Sequence, residues 1–319
     1  MTRFILTRLV LLLVGLLAAS ALIFFTIRVL PGDVAQVIAG TDATPEAVAA
    51  IREQLGLGQP VLLQYLDWIG GLLRGDLGNS LITGTPVASE LAQKAQVTVP
   101  LGIMALVIAL AFSVPLGVLA AVRRTRATGV VISFASQGLA AVPVVWAGMM
   151  LVLLFAVVLG WLPAQGFPRA GWNDPLAAIR ALLLPALTIG IVEGAVLLRF
   201  VRSAALDAIG QDYVRTAAAK GLTRSQALIR HGLPNVALSV VTVLGLQIAG
   251  LIVGSVIIEQ LFTLPGIGRM LVADVGNRDL VKVQGELLVL TGVVLVIGAV
   301  VDVVHRLADP RLRERERTT

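Results

Sequence analysis

The sequence contains no cysteine. That excludes disulfides, thiolate-held metals and cysteine nucleophiles. Its two histidines, His231 and His305, stand far apart, and no His-Glu-x-x-His pattern occurs, so a zinc-protease helix is excluded. No Gly-Lys dipeptide is present, and with it goes any phosphate-binding P-loop; the Gly-x-Ser-x-Gly nucleophile turn is absent as well. If ATP drives this protein, another chain hydrolyses it. Aromatic residues make up only 5% of the chain, too few for a base-stacking platform. Charged residues are also scarce, at 14%, where soluble domains carry about a quarter. The net charge of +6 and the pI near 10.6 do not argue for nucleic acid, because the basic residues sit between apolar runs and at the C-terminus.

What remains is apolar: 57% of 319 residues, with a mean hydropathy of +0.92. Such a composition predicts a polytopic, all-α membrane protein, since a lipid-exposed chain must satisfy its backbone internally. About 20 apolar residues cross the hydrocarbon. Six runs are predicted to span: 9–27, 97–122, 130–159, 181–198, 236–258 and 287–304. Ala19-Ser20-Ala21 resembles a signal-peptidase site, but the apolar run continues through Phe24 and Phe25, so a retained anchor is expected. The third run has no charge from 127 to 168 and has room for two spans broken at Pro143. Charge arbitrates. With six spans and an internal N-terminus, sixteen of the 25 basic residues fall inside, six of them between 199 and 230. Splitting the third run places that loop outside, so one span with an interfacial extension is the expectation.

Two segments between spans carry more than a hairpin needs. Residues 31–96 are expected outside and hold two predicted helices. Thr44-Pro45 is an N-cap followed by proline at the first helical position, and Gly56 ends that helix. A second helix follows Pro60, with Leu62, Tyr65, Leu66, Ile69, Leu72 and Leu73 on one face. It reads either as a helix lying on the membrane surface or as part of a platform for a delivery protein. Residues 203–234 are expected inside and are too long for a simple turn, which points to a partner surface.

That internal segment reads Gln211-Asp-Tyr-Val-Arg-Thr-Ala-Ala-Ala-Lys-Gly-Leu222, followed by Arg230-His-Gly-Leu-Pro-Asn235. It resembles the signature loop of the permeases of bacterial ATP-binding cassette (ABC) importers: Glu-Ala-Ala, three residues, Gly, nine residues, Ile, one residue, Leu-Pro. Aligned on Gly221, the chain supplies Ala217, Leu233 and Pro234, and departs at Arg215, Thr216 and His231. Arg215 and Thr216 fit the dipeptide, oligopeptide and nickel branch, whose form is Tyr-Val-Arg-Thr-Ala-Arg-Ala-Lys-Gly-Leu; Ala218 replaces its arginine. Further stretches are similar to the same branch: Leu30-Pro-Gly-Asp33, Gly75-Asp-Leu-Gly-Asn-Ser80, Trp161-Leu-Pro163, Glu259 through Gly268, and Asp279 with Gln284-Gly285.

The resemblance implies a type I importer permease without an ATPase site of its own, in a bacterial inner membrane, both termini cytoplasmic. It implies an N-terminal span and external segment (1–93), a core (94–305) with a coupling loop (203–234), and a basic tail (306–319). Its partners are then a second homologous permease, two ATPase subunits that bind ATP and magnesium, and an extracytoplasmic solute-binding protein, with dipeptides, oligopeptides, glutathione or nickel chelates as candidate solutes. A short helix at about 213–220 is expected to seat in an ATPase subunit, with Gly221 turning the chain and Pro234 re-entering the membrane. Tyr213, Arg215, Thr216, Ala217, Lys220, Gly221, Leu233 and Pro234 are the coupling candidates. Glu193, the only carboxylate placed well inside a predicted span, is the candidate pathway residue. Thr98, Ser113, Gln137 and Gln247 are expected to bridge helices. A lone secondary transporter or channel is the rival class, disfavoured by the lack of further intramembrane ionisable residues and of a repeat. An intramembrane hydrolase lacks a positioned base.

Overall fold

A computed structural model describes residues 2–29, 34–40, 43–54, 56 and 58–308. The Leu30-to-Asp33 motif and the tail beyond 308 lie outside the described residues. In chain order the helices are α1 (Thr2–Val29), α2 (Val34–Ala39), α3 (Pro45–Gln54), α4 (Val61–Leu72), α5 (Val87–Val122), α6 (Ala127–Ala140) and α7 (Val144–Leu151). They continue with α8 (Pro175–Gly210), α9 (Asp212–Ala219), α10 (Arg224–Ala227), α11 (Leu233–Leu261), α12 (Ile267–Asn277) and α13 (Leu280–Ala308). Among the described residues there is no β-strand, only an isolated bridge between Asn79 and Pro86. The all-α membrane architecture stands: among the described residues five helices are long and apolar enough to cross a membrane, six if one bent pair counts as a single span.

That pair is the third apolar run. It is two helices, α6 and α7 with a π-helical extension over Val152–Val158, meeting at 104°. Pro143 lacks a donor and disfavours helical backbone in the residue before it, so the helix stops and restarts there. The other spanning helices outrun their apolar segments, because helices end at caps and breakers rather than at the first polar residue. Thus α8 starts at Pro175, where the Asp174 carboxylate accepts a hydrogen bond from the Ala177 N–H at 3.1 Å, and runs on to Gly210.

The chain packs as two compact units. The larger comprises Val99–Leu264 with Ile297–Thr319 and is centred on α8, which touches α6, α7 and α11. Leu182, Leu184, Ile189 and Leu197 of α8 are fully buried. Gly190 and Gly194 let α5 lie directly on α8. A Cβ at Gly194 would stand 2.4 Å from the Phe112 ring, and one at Gly190 2.8 Å from Ile108. Small residues four apart are how membrane helices gain dispersion contact without a hydrophobic drive.

The other unit comprises Met1–Thr98 with Pro265–Val296. Ile23 and Ile27 of α1 pack with Val283, Leu287 and Leu288 of α13, while Leu6, Leu13 and Leu22 stay exposed, as expected of a helix facing lipid. Both helices predicted between the first two spans are present. Thr44 Oγ1 accepts from the Ala47 N–H at 3.4 Å at the start of α3, and Gly56 takes a left-handed φ of 64° beyond its end. The predicted apolar face of α4 divides in two. Tyr65 and Trp68 turn onto α1 around Phe24, with ring centroids 5.2 and 5.8 Å away. Leu62, Leu66 and Leu73 remain exposed. Tyr65, Ile69 and Leu72 of the predicted face are half-buried, and the two aromatic rings, with their large area, make the contact with α1.

Candidate coupling loop and pathway site

The segment from the end of α8 to the start of α11 folds as a small body of its own. The expected helix at 213–220 is α9, one residue earlier at each end. Val214 and Ala217 face inward and pack with Ala227, Leu222 and the Tyr213 ring. Arg215, Thr216 and Lys220 point outward and are exposed. Ala217 therefore serves the loop's own core rather than an outer surface. Arg215 lies 3.7 Å from Asp212, an exposed i,i+3 pair worth a few tenths of a kcal/mol (about 0.3–0.5) at most. Gly221 follows with φ 97°, a backbone state open to glycine and strained for other residues. Nothing lies within 4 Å of where its Cβ would be, so the requirement there is conformational and not steric crowding.

Thr223 then starts α10 by a reciprocal cap: its Oγ1 accepts from the Gln226 N–H at 3.3 Å, and Gln226 Oε1 accepts from the Thr223 N–H at 3.0 Å. The Thr-x-x-Gln spacing is visible in the sequence as a capping box. A π-helical turn, Leu228–Gly232, leads directly into α11. Pro234 sits in the first turn of α11, where its missing N–H is tolerated, and the wide turn before it relieves the ring's clash with the carbonyl four residues back. Asn235 Nδ2 donates to the Tyr213 hydroxyl at 2.8 Å and so ties α9 to the start of α11. Leu233 is half-buried against the core formed by Leu197, Val201, Leu228 and Val236. The loop is thus braced against two spanning helices, α8 and α11.

Glu193 lies on α8, half-buried, about 25 Å from the Gly210 end at 1.5 Å per residue. It is not isolated. Gln247 of α11 donates to the Glu193 carbonyl at 3.1 Å and to its carboxylate at 3.4 Å. Gly250 leaves room on the other side: its Cβ would come within 3.5 Å of Glu193 Oε1. Of the other intramembrane polar residues, Thr98 accepts from the Ile267 N–H at 2.9 Å and Gln137 donates to the Ser133 carbonyl of its own helix at 3.2 Å. Ser113 is buried, and among the described residues its hydroxyl has no hydrogen-bond partner.

Stretches quoted far apart in the sequence meet. Asp279 accepts from the Ser80 hydroxyl and from the Leu81 N–H at 3.2 Å, joining the Gly75-to-Ser80 turn to the start of α13. A Cβ at Gly285 would stand 3.0 Å from Val87, at the start of α5. The Gly266-Ile-Gly268 turn leads into α12 with no strand before it, so it is no nucleotide loop. One cluster escaped sequence reading. Lys282 Nζ of α13 lies 2.8 Å from Glu90 Oε2 of α5 and 2.9 Å from Asp274 Oδ2 of α12. Glu286, one turn further along α13 and fully buried, lies beside Asp274. The final apolar run begins at Leu287, one residue past Glu286, so hydropathy alone leaves these ionisable groups outside the span.

Comparison with known proteins matches this architecture end to end. Residues 113–314 match the family described as "Binding-protein-dependent transport system inner membrane component", and residues 1–102 match its N-terminal companion, "Binding-prot-dependent transport system membrane comp, N-term". A Brucella abortus (strain 2308) protein named "Putative peptide transport system permease protein" is 40% identical over 315 residues, covering 98% of this chain and 99% of the relative. The glutathione transport system permease protein GsiC of Salmonella choleraesuis (strain SC-B67) is 37% identical over 314 residues, with the same coverage. The GsiC protein of Salmonella typhimurium (strain LT2) is equally similar, at 37% over 314 residues. A helical membrane chain with a braced, outward-facing α9 between two spans, matched over nearly its whole length, belongs to the binding-protein-dependent transport system inner membrane components, the membrane-spanning permeases of importers.

Proposed function

We propose that the chain is one of two permease subunits of an ATP-driven importer for peptides or similar small solutes. It forms half of the translocation pathway in the inner membrane. Its partners are a second homologous permease, two ATPase subunits and a solute-binding protein on the outer face. The peptide and glutathione systems named for its relatives support the solute class. ATP and magnesium belong to the partner subunits. The observation that carries the coupling role is α9: its exposed Arg215, Thr216 and Lys220 form a docking face, while Val214, Ala217 and the Tyr213–Asn235 bond fix it to α8 and α11. Closure of the ATPases then drives α9 as a rigid lever, with Gly221, Leu233 and Pro234 shaping the return of the chain into the membrane. The excess of basic residues at the termini and around α9 supports a cytoplasmic position for this end of the molecule. Glu193 is our candidate pathway residue, offering negative charge to a cationic group such as a peptide amino terminus, with Gln247 holding its carboxylate.

The deciding experiment is reconstitution. Co-expressed with the ATPase and binding-protein chains of the same system, the permease is expected to co-purify with them and to take up L-alanyl-L-alanine or glutathione in proteoliposomes only with ATP. Uptake by the permease alone, driven by an ion gradient, would refute the importer reading.

A further inference from the structure

A cavity of about 290 Å³ opens where the last turns of α8, the start of α9, the first turns of α11 and the end of α13 come together. It is lined by Asp207, Gln211, Tyr213, Asn235, Ser239 and His305, with small apolar residues between them. Its polar groups have bonding capacity to spare. Among the described residues the Asp207 carboxylate and the Gln211 side-chain amide have no hydrogen-bond partner, and Asp207 has no ion pair. The Tyr213 hydroxyl accepts from Asn235, which leaves its proton to donate elsewhere. His305 Nδ1 lies 3.0 Å from Thr242 Oγ1, leaving Nε2 for another partner. Among the described residues no lysine or arginine lines the cavity, although arginines and lysines are the commonest charges in this part of the chain.

A concave site with one carboxylate, several neutral donors and acceptors and no cation is complementary to a small solute that carries an ammonium group beside amides. The volume lies near the lower end for small-molecule sites and matches a solute of dipeptide size. Resting on the importer reading, we propose that this cavity is a second peptide site, at which solute already delivered to the cytoplasm binds through its amino end and holds the permease back. Asp207 pairs with the ammonium group. Gln211 and Asn235 pair with the peptide bond, and the Tyr213 hydroxyl donates to a carbonyl. The walls belong to four helices, including α9 and the start of α11, which the coupling stroke has to move. A ligand that bridges them binds one arrangement of the loop better than others and so shifts the population toward it. Glu193 lies elsewhere on α8 and takes no part in this site.

The test uses the complete transporter in proteoliposomes preloaded with ATP and either L-alanyl-L-alanine or its N-acetylated form, with a parallel calorimetric titration of both dipeptides into the solubilised complex without binding protein. Internal L-alanyl-L-alanine is expected to slow uptake and to bind once per permease, and the N-acetylated form to do neither. Asp207→Asn is expected to weaken binding and inhibition about tenfold, and Ser239→Phe, which fills the cavity without changing its charge, to abolish both. Glu193→Gln is expected to leave the calorimetric site intact. Equal binding of the acetylated dipeptide, or binding and inhibition that survive both Asp207→Asn and Ser239→Phe, overturns the proposal. Asp207-dependent binding in a complex that shows no ATP-driven uptake would instead sink the importer reading and leave the site standing.

Discussion

Ser80 and Asp279 are 199 positions apart in the chain, and the Ser80 hydroxyl donates to the Asp279 carboxylate in the interior. The same carboxylate caps α13, accepting from the Lys282 N–H at 3.4 Å, and accepts from the Leu81 N–H. One side chain thus closes the turn before α5 and starts the last helix. Asp279→Ala is expected to cost about 1–3 kcal/mol, the sum of a lost cap and an orphaned buried hydroxyl. Ser80→Ala should cost less, because Asp279 keeps its backbone donors. Thermal unfolding of the purified chain in detergent ranks the two, and a larger loss for Ser80→Ala would contradict the cap.

Lys282 holds a second such junction, between Glu90 of α5 and Asp274 of α12, with only 5% of its surface exposed. Removing it leaves Glu90 and Asp274 without their cation, with the acidic side chain of Glu286 beside Asp274. Lys282→Met is expected to destabilise by about 3–5 kcal/mol, as when one partner of a buried pair is lost. The double variant Lys282→Met with Glu286→Gln should recover part of that loss. Absence of recovery in the melting temperature would show that Glu286 does not belong to the cluster.

The contrast between these two junctions shows what a sequence makes legible. Asp279, the Gly75-to-Ser80 stretch and the α9 segment were readable as motifs, because their spacing along the chain carries the information. Caps behaved likewise: Thr44-Pro45 and Gly56 bound α3 as their chemistry dictates. The Lys282 cluster is assembled from three helices and has no spacing to find. Hydropathy windows also ended spans at charged residues, whereas the helices continue to their caps, so α8 reaches Gly210 and α13 takes in Lys282 and Glu286. The 104° break at Pro143 is invisible to charge balance, a criterion that counts crossings and says nothing about bends within one.

Orientation has a direct test, because the absence of cysteine makes single-cysteine labelling clean. Gln59 and Thr223 are both exposed and lie on opposite sides of the membrane in the proposed topology. A cysteine at Gln59 is expected to react with an impermeant maleimide in whole cells, and one at Thr223 only after the membrane is opened. The opposite pattern would invert the topology and remove α9 from the cytoplasm.

Gly221 separates backbone strain from side-chain crowding. Its φ of 97° is costly for any residue with a Cβ and worst for a β-branched one, while the space around it is empty. Gly221→Val is therefore expected to distort the exit from α9 while the spans still insert, lowering solute-stimulated ATPase activity and uptake together. Gly221→Ala should do the same more mildly, at about 1–2 kcal/mol of local strain. Normal transport in Gly221→Val would remove this turn from the coupling route.

Glu193 poses the sharpest choice between a structural and a pathway role. A carboxylate inside a span costs about 2.5–3.5 kcal/mol on insertion scales, so it persists only with partners or water. Gln247 supplies one partner, and the half-exposed position supplies access. Glu193→Gln keeps the shape and leaves the Gln247 bond to the backbone carbonyl untouched, removing only the charge. If the charge meets the substrate's amino terminus, uptake of L-alanyl-L-alanine should fall about tenfold or more while the N-acetylated dipeptide loses little, with assembly unchanged. Gln247→Leu, which frees the carboxylate without removing it, should then weaken the discrimination between the two substrates less than Glu193→Gln does. A purely structural Glu193 predicts a different pattern: both substrates suffer equally in Glu193→Gln, and the melting temperature falls with them. Measuring uptake of the paired substrates alongside thermal unfolding therefore decides the role of this residue whichever way the result falls.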